Sequence, residues 1–68
     1  MENTIGQLRA EHGLSQAALA ERVGVSRQTI ISIERGRFDP SLPLAFRLAR
    51  TFNTSIEDLF TFSESGEQ

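Results

Sequence analysis

Gly24 separates two stretches whose apolar residues recur at helical spacing, and this juncture constrains the chain more than any other feature. Between Gln16 and Val23, Leu19 and Val23 stand at i and i+4 with Ala20 beside them, a single apolar stripe on a short rod. A glycine just past the last periodic residue can take the left-handed conformation that ends a helix and redirects the chain. Val25 follows as a core plug, and Ser26 has the side chain that caps a new helix. The stretch from Ser15 to Arg35 therefore reads as two short helices joined by a tight turn.

The second of these helices, Arg27 to Arg35, differs sharply between its faces. At about 100° per residue, Ile30 and Ile33 point one way while Gln28, Ser32 and Arg35 lie opposite, with Arg27 and Ile31 on a flank. Arginine and glutamine in the first turn of a helix suit bidentate contacts with guanine and adenine edges in a major groove, which admits an α-helix. On a lone helix such a face is most often merely solvated.

The spacing of the whole unit changes that balance. Gln16, Ala20, Gly24, Val25, Ile30 and Ile33, continued by ERG at Glu34 to Gly36, DPSL at Asp39 to Leu42 and the run LAFRLARTFNTSIEDLF, resemble the Cro/CI-type (XRE) helix-turn-helix regulators over residues 5–60. Many residues agreeing at fixed spacing make the resemblance specific, whereas Ala-x-x-x-Gly alone would not. It implies an all-α, five-helix, lambda-repressor-like DNA-binding domain. By resemblance and by the helical arithmetic, Arg27, Gln28 and Ser32 are expected to read bases, and Gln16, Arg35 and Arg37 to touch phosphates. In repressors of this kind an arginine at the position of Arg9 pairs with the glutamate that is Glu34 here, which implies a structural ion pair. Two residues depart from the family pattern. Ile31 stands where a small or polar residue is usual, and Ser32 is shorter than most, so its base contact would be close-range or water-mediated.

With 68 residues the chain has room for one small domain and little for a ligand-binding unit or a substrate cleft. It has no cysteine and one histidine, which leaves no thiolate site, disulfide or His-rich metal site, so no metal and no cofactor is expected. No nucleophile has a plausible base partner and His12 sits at a helix end, so an enzyme is not expected either. No apolar run approaches the ~20 residues that span a bilayer and no leader pattern opens the chain, which points to a cytoplasmic protein without a membrane partner.

The net charge of −2 is unusual for a DNA binder, but the charges are segregated. Between residues 22 and 50, six arginines (22, 27, 35, 37, 47 and 50) face only Glu34 and Asp39, a local excess of four positive charges. Acid gathers at the two ends, so a basic front and an acidic rear are expected, with modest non-specific affinity.

In chain order, Asn3 or Thr4 could cap a first helix from Ile5 to about Glu11, closed by His12 and Gly13, with Leu14 returning to the core. Gly36 to Ser41 reads as a loop in which Arg35, Arg37 and the backbone amides would suit phosphates; Phe38 is expected at the core edge, with packing against Ile31 or an exposed place beside DNA both open. Ser41 is placed to cap the next helix, with an apolar stripe of Leu44, Leu48 and Phe52 and with Pro43 tolerable in its first turn. Asn53 ends that helix, Thr54 or Ser55 caps a last short one, and Ile56 and Leu59 point inward. Around 59–63 the period falls to two, so Phe60 and Phe62 share one face of a short strand whose only free partner is Met1 to Thr4. Short members of the family use such a strand in a homodimer interface, which gives Phe60 and Phe62 that expected role; covering the core of a monomer is the competing one. Residues 1–62 form the expected domain and 63–68 a flexible acidic tail.

The implied function is a repressor binding double-stranded operator DNA as a homodimer, with half-sites about 34 Å apart. The competing reading is an antitoxin or co-regulator whose main partner is another protein, served by Phe60, Phe62 and the acidic end.

Overall fold

The computed structural model describes residues 1–61. Among them the order is β1 (Glu2–Asn3), α1 (Ile5–Glu11), α2 (Gln16–Val23), α3 (Arg27–Glu34), α4 (Leu42–Thr51), α5 (Ile56–Leu59) and β2 (Phe60–Thr61). This is the expected five-helix architecture with a short terminal strand pair.

Serine punctuates the chain. Ser15, Ser26, Ser41 and Ser55 precede four of the helices with extended backbone, and each hydroxyl accepts from the amide three residues on. Each satisfies one of the amides that a helix start leaves without an internal partner. Placing the cap at Ser41 starts α4 at Leu42, two residues before the apolar stripe suggested. Pro43 then falls in the first turn, where a missing N–H costs nothing. The other boundaries move by no more than a residue, as at α3, which closes at Glu34 with Arg35 as its cap.

Left-handed residues end the helices. Gly24 has φ 79° and ψ 34°, and the amides of Gly24 and Val25 both reach the Ala20 carbonyl, at 2.9 and 3.0 Å. Asn53 adopts φ 55° after α4, a conformation its short polar side chain tolerates.

The core gathers one apolar face from every helix. Ile5, Leu19, Ile30, Ile33, Leu48 and Leu59 are fully enclosed, and Leu8, Leu14, Val25 and Ile56 pack around them. Ala20 is buried on α2, a small residue on the helix that packs against both α3 and α4. His12 sets its ring edge against Phe52, with centroids 5.2 Å apart, over the α1 side of the core.

The two strands pair antiparallel within one chain, Glu2 opposite Thr61 and Asn3 opposite Phe60. Phe60 joins the core. Phe62, and the tail expected at 63–68, lie outside the described residues. No helix among the described residues is long and apolar enough to cross a membrane, and no group of acidic or histidine side chains there could hold a metal ion.

Candidate nucleic-acid interface

α3 is anchored by what it buries and presented by how it begins. Ile30 and Ile33 hold its inner face in the core. At its start the Ser26 hydroxyl accepts from the Thr29 amide at 3.1 Å and lies 2.9 Å from the Thr29 hydroxyl, which stiffens the first turn. From that turn Arg27 and Gln28 project into solvent; Ser32, one turn on, is half-buried, as is Ile31. Two adjacent exposed side chains with bidentate hydrogen-bonding groups thus stand at the leading end of a rigid helix.

Beyond α3 the chain carries Arg35 and Arg37, both exposed. The backbone amides expected to accompany them are already used. Those of Arg35, Gly36 and Arg37 donate to the carbonyls of Ile31, Ile33 and Ser32 at 2.9 to 3.1 Å. An anion beside Arg35 and Arg37 would meet guanidinium groups and not these three amides, because the close of α3 consumes those donors. Phe38 is 48 % exposed on the same loop, so it stands out from the core edge.

The α2–α3 pair is locked by a cluster centred on Glu34. Arg9 from α1 places Nε 2.8 Å from Glu34 Oε2, and its Nη1 donates to the Leu14 carbonyl at 2.9 Å. Gln16, the first residue of α2, donates from Nε2 to Glu34 Oε1 at 3.1 Å. A carboxamide nitrogen carries two protons. One is held by Glu34, and the other remains for an acceptor outside the protein.

Pairing also shapes the field. Of the two acids between residues 22 and 50, Glu34 is matched by Arg9 and Asp39 by the Met1 ammonium at 3.2 Å. Both cations come from outside the basic segment, and among the described residues these are the only ion pairs. Arg27, Arg35 and Arg37 keep their charge without an acidic partner there, so the surface around α3 is more positive than the net charge suggests.

A helix-turn-helix family model matches residues 5–59. The chain is an XRE-type helix-turn-helix protein. An HTH-type transcriptional regulator of Methanocaldococcus jannaschii is 52 % identical over 64 residues, spanning 94 % of this chain and 97 % of that one. Among solved structures, the restriction-modification controller protein C.AhdI from Aeromonas hydrophila superposes with a TM-score of 0.74 at 34 % identity, covering 82 % of this chain and 85 % of that one. A SinR protein/SinI protein complex gives 0.76 at 29 % identity over 94 % of this chain and 63 % of the matched chain. The Methanocaldococcus relative is named as a regulator of transcription, and this XRE-type chain shares the fold of the two solved structures along most of its length.

Three contributors in this XRE-type unit carry no periodic signal in the sequence. Asn3 donates from Nδ2 to the Ile33 carbonyl at 2.8 Å and accepts from the Ile5 amide, so one side chain ties β1, the start of α1 and the end of α3 together. Arg47, off the apolar stripe of α4, donates to the Val23 carbonyl at 3.1 Å and closes the last turn of α2. The Met1 ammonium holds the Gly36 carbonyl beside Asp39. Asn3 or Thr4 is the expected cap of the first helix; Thr4 occupies the N-cap without a side-chain bond, and the Asn3 carboxamide oxygen, one residue earlier, accepts from the Ile5 amide. The reach of Asn3 across thirty residues to α3 had no local sign.

Proposed function

We infer that the protein is a sequence-specific transcriptional regulator, acting as a repressor in the cytoplasm, that inserts α3 into the major groove of an operator. The observation that carries this is the capped first turn of α3, which holds Arg27 and Gln28 outward while neighbouring acids are paired elsewhere. Arg27 and Gln28 read bases through bidentate hydrogen bonds, and Ser32 makes a short or water-bridged contact deeper in the groove. Gln16, steadied by Glu34, gives its second amide proton to a phosphate; Arg35 and Arg37 grip the backbone beyond the other end of the helix. Arg9 and Glu34 touch no DNA and fix the angle at which the helix is offered.

The protein binds as a homodimer on a near-palindromic operator, two copies of α3 entering successive major-groove faces. The resemblance assigns Phe60 and Phe62 to the dimer interface. The test is sedimentation velocity of the protein with a duplex carrying the region upstream of its own gene, at two salt concentrations. A complex that forms at low salt and dissociates as salt rises supports the reading, since phosphate contacts release counterions. A protein that ignores every genomic fragment but retains one partner from lysate would instead fit an antitoxin or co-regulator.

A further inference from the structure

The proposed contacts take Arg27, Gln28, Ser32 and Arg35 from the outer face of α3 and leave Ile31, which stands among them, without a part. Arg27, Ile31 and Arg35 follow at i, i+4 and i+8, so they form one stripe that ends at the helix cap. Gln28 and Ser32 make the row beside it. At about 100° per residue, Ile31 is turned about 100° from Ile30 and about 160° from Ile33, the two residues through which α3 enters the core. It is half-buried, yet the partly buried apolar side chains that pack against the core are, among the described residues, Leu8, Leu14, Val25 and Ile56. Ile31 is a large hydrocarbon that the interior does not use. A lone apolar residue on a surface needs no explanation, but this one sits in the middle of a face otherwise made of hydrogen-bonding groups.

We propose that Ile31 determines specificity by packing against the C5-methyl group of a thymine in the major groove. The inference rests on the DNA reading above and deepens it, giving a base preference to a side chain that has no hydrogen-bonding group. That lack of polarity is what selects the base. Against an amino, carbonyl or ring-nitrogen edge, an isoleucine would take polar atoms out of water and return no partner. The thymine methyl is the apolar group that an ordinary base pair offers in this groove, and contact there gains what burial of hydrocarbon gains elsewhere. Position agrees as well. Four residues of helix rise about 6 Å, so the base met by Ile31 lies within about two base pairs of that met by Arg27. 5-Methylcytosine carries the same methyl in the same groove, so the test has an arm for each source.

The site is first selected from a random duplex library with the full chain, which should enrich a motif containing an invariant thymine. Each thymine of that duplex is then replaced in turn by deoxyuridine, which removes the methyl and leaves every hydrogen-bonding group in place. Fluorescence anisotropy should show one replacement weakening the wild type about fourfold, the worth of one buried methyl group. Ile31→Ala should bind the parent duplex less tightly and be indifferent to that replacement, while Arg37→Ala, weaker on every duplex, should still lose the same factor. Ile31 lies outside the enclosed core, so Ile31→Ala should keep the helical circular dichroism of the wild type. Ile31→Gln, polar and a good helix former, gives the same comparison if Ile31→Ala does not fold. A library that enriches no motif would sink the DNA reading and this inference with it. A motif whose thymines all tolerate deoxyuridine would overturn this inference alone, as would an Ile31→Ala variant that keeps the penalty. So would binding that ignores every deoxyuridine and tightens when one cytosine is methylated at C5, since the methyl would then belong to 5-methylcytosine.

Discussion

Arg27 and Arg37 carry the same charge on differently built positions, and their loss should therefore read differently. Arg27 sits in the first turn of α3, where a guanidinium can meet a guanine edge, whereas Arg37 lies past the helix end and its own amide is committed to the Ser32 carbonyl. Arg27→Ala should lose about 1–3 kcal/mol on the preferred operator and relax the preference at one base position. Arg37→Ala should weaken all sequences alike and shallow the salt slope by about 1. Gel shifts with an operator mutated one base pair at a time separate the two, and a base-specific defect in Arg37→Ala would reverse the division of labour. Glu34 differs again, because its carboxylate receives donors from Arg9 and Gln16 at once. Glu34→Ala leaves both without their acceptor, at a cost of about 2 kcal/mol, or roughly 10 °C in Tm for so small a domain. It should also lower DNA affinity through Gln16 without altering base preference. Thermal unfolding followed by a binding titration tests both parts.

At the level of elements, the turn between α2 and α3 depends on backbone geometry more than on space. An added Cβ on Gly24 would meet no atom within 4 Å, yet φ there is +79°. Gly24→Ala should therefore cost only the left-handed strain, about 1–2 kcal/mol. Ser26→Ala should cost about 1 kcal/mol for the lost cap of α3. Chemical denaturation of the two variants gives these values directly, and a Gly24→Ala loss several times larger would mean that packing, and not dihedral strain, holds the turn. These features were legible in the sequence because they are local: the 3.6-residue stripes, the serines before α3 and α4 and the glycine after α2 each act within one turn of themselves. The same locality explains what was not legible. Asn3 finding the Ile33 carbonyl and Arg47 finding that of Val23 join residues far apart in the chain, and an isolated polar residue has no period to betray its partner. That the amides of residues 35–37 are taken was not legible for a related reason. Gly and Pro announce a loop, but they do not say that its first three amides fold back onto the preceding helix. Of the site, Arg27 and Gln28 were assigned by the family resemblance together with helical arithmetic, whereas Gln16 could be placed beside Glu34 only once the two helices were packed.

For the molecule as a whole, size and charge together limit how it can read DNA. The chain measures 35 × 22 × 21 Å and carries few exposed arginines around α3 on a net negative body, so one protomer would cover only a few base pairs and hold them weakly. These extents are of the same order as the ~34 Å of one helical turn, so two protomers side by side are large enough to set their recognition helices at that spacing. In the proposed homodimer, specific binding depends on both recognition helices meeting the same face of the duplex. Adding about 5 base pairs between the half-sites turns the second one to the far side, so affinity should fall to that of a single half-site. Adding about 10 should restore the face but stretch the separation by another turn, beyond what a rigid pair this size can span, so recovery should be absent or slight. Titration of the three duplexes by fluorescence anisotropy decides the matter. Equal affinity for all three would mean that each protomer binds alone, whereas a loss at the first insertion without recovery at the second would fit two recognition helices held at one fixed spacing.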